Sequence, residues 1–121
     1  MVKVNMGPIE MLSRTKQFAI DCAYLTISLP LSDINKAYRN QLIRSSSGAA
    51  ANYRATRRAK STADFINKLK ITEEELDESL FFLEMIAEFN KNKREIIVPI
   101  YRSGEELLKI VVASIKTSRT K

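Results

Sequence analysis

The sequence predicts an all-α fold: an antiparallel, up-down-up-down four-helix bundle, with residues 1–121 as a single domain. Three observations point there. The 121 residues include only three Gly, three Pro and no Trp, too few turn formers for a sandwich or barrel, which turns every ~8–12 residues. Apolar residues recur at helical spacing in four successive stretches, at approximately 9–29, 33–59, 62–91 and 97–117. The breaks between the stretches are short, as they are between neighbouring helices of a bundle. Apolar residues at 45% and charged residues at 28% suit a packed core rather than a disordered chain.

The first element opens at Gly7-Pro8, because proline suits a first helical position whose N–H has no partner anyway. Leu12, Ala19, Ala23 and Thr26 share one face. Leu29-Pro30-Leu31 breaks the pattern, since a residue before proline avoids the helical region. Cys22 lies among apolar neighbours and reads as a small core residue; with no His in the chain, nothing activates it as a nucleophile.

Ser32 is the expected N-cap of the second element, with Asp33 at its positive end. Ile34, Tyr38, Leu42, Ser45, Ala49, Asn52 and Thr56 fall on one face, and Lys36, Arg39, Arg54, Arg57 and Arg58 on the other. The run Ser45-Ser-Ser-Gly-Ala-Ala-Ala51 is unusual in mid-helix. Gly48 alone lowers helix stability by about 1 kcal/mol relative to Ala, and the expected return is close approach of a neighbouring helix. Ile43 sits among the basic residues on the outward face, where it fits either an isolated exposed side chain or a subunit contact.

Ser61 is the expected N-cap of the third element. Phe65, Leu69, Thr72, Leu76, Ser79, Leu80, Leu83, Ile86 and Ala87 form its core stripe. Phe81, Phe82, Met85 and Phe89 point elsewhere, so the second half of this helix is apolar almost all round. Burying one such side chain is worth roughly 1.5–3 kcal/mol, which favours covering them. The preferred cover is a second copy of the chain; the alternative is a central helix fully enclosed by its own three companions. Asn90-Lys-Asn-Lys-Arg94 reads as an exit turn. The fourth element is expected to start between Glu95 and Pro99, with Pro99 confined to the first turn. Ile97, Ile100, Tyr101, Gly104, Leu107, Leu108, Val111, Val112 and Ile115 continue it at helical spacing, and Thr117-Ser-Arg-Thr-Lys121 is a fraying basic tail.

Chemistry is sparse. With one Cys and no His, there is neither a triad nor a zinc site nor the Glu-x-x-His pair of a di-iron bundle, and no Gly-rich phosphate loop is present. No catalytic residue, metal ligand or cofactor is assigned, and the chain is read as a non-enzyme. Glu84 is expected to pair with an Arg such as Arg44, and Ser45, Gln41 and Asn52 to hydrogen-bond one another or backbone across the bundle. No apolar run approaches the ~20 residues of a membrane span, and Met1-Val-Lys-Val-Asn-Met-Gly-Pro8 lacks the order of a signal peptide; a cytoplasmic location is expected.

The net charge of +6 is unevenly laid out. Ile34 to Ala63 holds no acid and seven bases, Lys36, Arg39, Arg44, Arg54, Arg57, Arg58 and Lys60. Glu73 to Glu88 holds no base and seven acids. A basic block of this kind meets phosphates, or the acidic block of its own chain or of a neighbouring copy.

The string Gln41-Leu-Ile-Arg-Ser-Ser-Ser-Gly-Ala-Ala-Ala-Asn-Tyr-Arg-Ala-Thr-Arg-Arg-Ala-Lys60, with Ala63-Asp-Phe-Ile-Asn-Lys-Leu69 and Asp77-Glu-Ser-Leu-Phe-Phe-Leu-Glu84, closely resembles a bacterial four-helix-bundle family. That family was first named for proteins encoded by intervening sequences of 23S ribosomal RNA genes. Arg14-Thr-Lys-Gln-Phe-Ala19 and Ala113-Ser-Ile-Lys-Thr117 are similar to it as well, so the resemblance runs over nearly the whole chain. Asn52-Tyr-Arg-Ala-Thr56 stands where many members carry Asn-Ile-Ala-Glu-Gly. The resemblance implies a ring-like homopentamer without enzymatic activity, and a link to nucleic acid through a related basic pentamer that serves diversity-generating retroelements. The expected function is therefore a homo-oligomeric binder of RNA or DNA. Arg39, Arg54, Arg57, Arg58 and Lys60 would meet phosphates, and Ile43, Phe81, Phe82, Met85 and Phe89 would form the subunit interface. The alternative is a protein–protein scaffold that binds no nucleic acid.

Overall fold

The computed structural model describes residues 6–120. The opening residues read above for a leader, 1–5, and the last residue of the basic tail lie outside the described residues. Four α-helices follow one another: α1 (Pro8–Ile27), α2 (Asp33–Ala55), α3 (Thr62–Phe89) and α4 (Arg94–Arg119). One 3-10 turn (Thr56–Arg58) joins α2 to α3 and another (Lys91–Lys93) joins α3 to α4. No strand occurs among the described residues.

Local chemistry sets most of the boundaries. The Ser32 hydroxyl accepts from the Asn35 N–H at 3.0 Å, and the Ser61 hydroxyl from the Asp64 N–H at 3.0 Å, so both expected N-caps are in place. α1 stops at Ile27, two residues short of expectation, because Ser28 closes the end by donating to the Leu25 carbonyl through both its N–H (3.0 Å) and its hydroxyl (2.7 Å). α2 ends at Ala55 rather than near 59, since the Thr56 hydroxyl, donating to the Tyr53 carbonyl at 2.6 Å, accompanies a tightening into the 3-10 turn. α3 ends at Phe89 rather than 91, where Asn90 leaves helical geometry at φ −141°, ψ 64°.

α4 departs most. It begins at Arg94, so Pro99 sits in its second turn instead of its first. The proline removes only the bond that its nitrogen would have given the Glu95 carbonyl. Pro99 and Glu95 are both exposed, so water can serve that carbonyl and the helix runs through.

The helices pack in a cycle, α1 on α2, α2 on α3, α3 on α4 and α4 on α1, with no close backbone approach across either diagonal among the described residues. Phe18, Cys22, Leu42, Leu76, Leu83, Leu107 and Val111 lie at the centre. The small-residue run does bring helices together. Ser45, Ser46 and Ala49 are buried, and Gly48 lies against the Glu75 carboxylate of α3. Gly104 of α4 faces Phe18 and Leu80, and a β-carbon there would come within 2.8 Å of the ring.

Polar pairs tie α2 to α3. Asn35 and Asn90 exchange amide hydrogen bonds of 3.1 and 2.8 Å, and their remaining donors reach the Pro30 and Ile86 carbonyls at 2.9 Å each. The Ser79 hydroxyl donates to Ser45 at 2.9 Å. Of the three polar residues expected to bond across the bundle, only Ser45 does; Gln41 accepts from Arg44, and Asn52 donates to the Gly48 carbonyl, both inside α2. Ile34, expected in the core, is 46% exposed. Its neighbour Asn35 takes the buried position, because Asn90 offers it a partner there.

Candidate nucleic-acid interface

The basic residues do not form one continuous face. Arg54 lies in the last turn of α2, Arg57 and Arg58 in the 3-10 turn, and Lys60 just before the Ser61 cap. All four are exposed and gathered where α2 turns into α3. Arg39 stands fifteen residues before Arg54, about 22 Å away along the helix axis, and is half-buried. The sequence-assigned set therefore divides into a cluster of four and one distant member.

None of the five takes part in an ion pair among the described residues. The eight acids of α3 form a side-chain ion pair with the basic block only at Arg44 among the described residues; its guanidinium reaches Glu78 at 2.6 Å and Glu75 at 3.5 Å. Its pKa is pushed further up by the hydrogen bond to Glu78. The other pairs are Arg14–Glu106 and Lys68–Asp64. Glu84 does not pair with Arg44 as expected. It lies exposed on the α4 side of α3 and accepts from the Tyr101 hydroxyl at 2.7 Å, which pushes the tyrosine pKa up to about 12.

Two grooves flank the cluster. One, of about 640 Å³, opens between the 3-10 turn, the start of α3 and the end of α4; Arg57, Lys60, Thr62, Phe65 and Ser118 line it. The other, of about 460 Å³, lies between α1 and α2, where Ala50 and Ala51 leave room beside Leu12, and Lys16 and Arg54 line it too. Lys16, Phe65 and Ser118 were not singled out as site residues from the sequence. Phe65 matched the α3 core stripe, and nothing local told that its ring also borders a basic groove.

The proposed interface residues also divide. Phe81 and Phe89 are 52% and 50% exposed, while Phe82 and Met85 are half-buried. They are not enclosed by the other three helices, which removes the fully enclosed alternative for the single chain. Tyr38 of α2 joins them: its ring stacks on Phe89 at 6.1 Å and tilts over Phe82 at 6.1 Å, and Phe81 meets Phe82 edge-on at 5.3 Å. Exposed Ile34 lies one turn before Tyr38, about 40° round α2. Ile43 does not belong to this patch, since at 100° per residue it lies about 140° round α2 from Tyr38.

Among the described residues no group of three or more His, Cys, Asp and Glu is placed to hold a metal, and no helix is long and apolar enough to cross a membrane. Burial pushes the Cys22 thiol up to about 12, which keeps it protonated and unreactive.

No family model matches the chain, and none of the curated proteins does. Among solved structures it is similar to a protein of unknown function from the S23 ribosomal protein family of Bacteroides thetaiotaomicron. The two are 29% identical and superpose with a TM-score of 0.80 over 92% of this chain and 99% of that one. The four helices thus have the all-helical fold of a protein assigned to the S23 ribosomal protein family.

Proposed function

We propose that this chain is a non-enzymatic, homo-oligomeric nucleic-acid-binding protein of the cytoplasm, built on an antiparallel up-down-up-down bundle. One observation carries the reading: Arg54, Arg57, Arg58 and Lys60 stand exposed at one end of the bundle with no side-chain ion pair among the described residues, although the next helix carries eight acids. Cations left unpaired in this way meet phosphates and release their counterions. The ribosomal family of the structural neighbour fits an RNA ligand. Antiparallel packing is supported by the α2–α3 pairs, in which Asn35, Ser45 and Gly48 meet Asn90, Ser79 and Glu75, ascending on one helix and descending on the other. Self-association is supported by the Tyr38, Phe81, Phe82, Met85 and Phe89 patch, and a ring of five by the family resemblance. Repeated copies turn a weak phosphate contact into useful affinity.

Anisotropy titrations against RNA and DNA across a salt series test the binding. Affinity should fall steeply with salt, and the triple variant Arg54→Glu/Arg57→Glu/Arg58→Glu should flatten the log–log slope by about 2–3, at ~0.7–0.9 per lost phosphate contact. No affinity at low salt, or an unaltered slope in the triple variant, overturns it. The scaffold reading draws on the same aromatic patch and predicts instead that the arginine changes alter oligomer mass. Light scattering on the triple variant and on Phe81→Ser/Phe89→Ser separates the two. The nucleic-acid reading expects only the second variant to dissociate.

A further inference from the structure

Most of the aromatic rings described above lie away from the basic cluster. Tyr38, Phe82 and Phe89 are packed together beside the Asn35–Asn90 end of the α2–α3 pair, with Phe81 against Phe82. Tyr101 lies on the acidic α3–α4 side, among Glu84, Glu105 and Asp77. Phe18 and Tyr53 are buried. Phe65 is the exception. It is partly buried against the core and also lines the groove of about 640 Å³ that Arg57 and Lys60 border. Hydroxyls of Thr62 and Ser118 line the same groove. Asp64 is the acid closest in sequence to this ring. Its carboxylate is already engaged by the Lys60 N–H at 2.9 Å and by the Lys68 ammonium at 2.6 Å.

A partly exposed ring in a groove that two unpaired cations also line offers what a duplex cannot use. Bases in a duplex are stacked on one another, and their faces are unavailable to a side chain. A single strand has free base faces, and a groove of this size accommodates a nucleotide. We infer that this groove is a single-strand site: one base stacks on Phe65, the flanking phosphates lie on Arg57 and Lys60, and Arg54 and Arg58 continue the track. The inference rests on the nucleic-acid reading above and narrows its ligand to unpaired RNA or DNA. The site reads no base edges, so it tolerates any sequence.

The test uses a 2-aminopurine-containing oligonucleotide, single-stranded and annealed to its complement, with the full chain, Phe65→Leu, Phe65→Tyr and the triple arginine variant. The wild type should prefer the single strand by roughly 5–10-fold and quench the probe on binding. Phe65→Leu should lose that preference and the quench while keeping its duplex affinity, and Phe65→Tyr should retain both. Equal affinity for the two forms, with an unquenched probe and an unaltered Phe65→Leu, overturns the single-strand site. If the triple variant has then still lost affinity, the nucleic-acid reading stands without it. Absence of binding to either form at low salt brings down both. Should Phe65→Leu fail to fold by circular dichroism, the wild-type quench and the behaviour of Phe65→Tyr decide.

Discussion

Gly104 and Gly48 receive the same substitution with opposite expected results. Both lie inside helices, so replacing either by Ala gains up to about 1 kcal/mol of helix propensity. The difference lies in what the new methyl meets. At Gly104 it would lie 2.8 Å from Phe18 Cε1 and 2.9 Å from Leu80 Cδ2. Those side chains are 2% and 6% exposed, so neither can swing out into solvent. Overpacking of this kind costs about 1–3 kcal/mol, so after the propensity gain Gly104→Ala should lose up to about 2 kcal/mol net. At Gly48 the nearest atoms belong to the Glu75 carboxylate at 3.2 Å, the end of a flexible, half-buried side chain held to Arg44 only at 3.5 Å. It can swing aside, so Gly48→Ala should gain about 0.5–1 kcal/mol. Thermal melts followed at 222 nm read both, at roughly 3–6 °C per kcal/mol for a chain of this length. Introducing Leu80→Ala should relieve Gly104→Ala, because the two sites share one space. A Gly104→Ala protein that melts higher than wild type would refute the packing argument, as would shifts of the same sign at both glycines.

The Asn35–Asn90 amide pair predicts a non-additive cycle. Either Asn→Leu change alone strands a buried amide and should cost about 1–3 kcal/mol, whereas the double Leu variant should cost clearly less than the sum, measured by urea unfolding. The Tyr101–Glu84 hydrogen bond predicts an alkaline limb. The tyrosine pKa is raised from 10 in the unfolded chain to about 12 when folded, so its contribution is fully present below pH 10 and is lost as pH rises towards 12. Tyr101→Phe should flatten the fall in melting temperature over that window, and an unaltered limb would show that the bond contributes nothing.

The features legible in the sequence are those fixed by near neighbours in the chain. Ser32 and Ser61 reach N–H groups three residues on, so their capping roles follow from local order alone. The core stripe of α3 follows from periodicity, and Leu69, Leu76, Leu83 and Ile86 are buried as expected. Features set by distant partners were not legible. Whether Ile34 or Asn35 turns inward depends on Asn90, 55 residues away. The partner of Glu84 depends on how α4 lies on α3, which brings Tyr101 within reach and leaves Arg44 to Glu75 and Glu78. Pro99 shows the same limit: its tolerance in the second turn is decided by solvent access. For the candidate site, the cluster Arg54, Arg57, Arg58 and Lys60 was readable because it is contiguous. The groove that borders it was not, since Ser118 comes from the far end of the chain.

The α2–α3 seam is lined by Ser45, Gly48 and Ala49, side chains too short to interlock like knobs in holes. Such a surface offers little mechanical resistance to sliding by one turn. The amide pair at one end and the Ser45–Ser79 hydroxyl bond ten residues along act as two buried pegs, beside the exposed Arg44 pair and the Tyr38 rings that cross the same seam. A displaced α3 would leave both pegs dry and without partners, so polarity adds to side-chain packing in holding a single alignment.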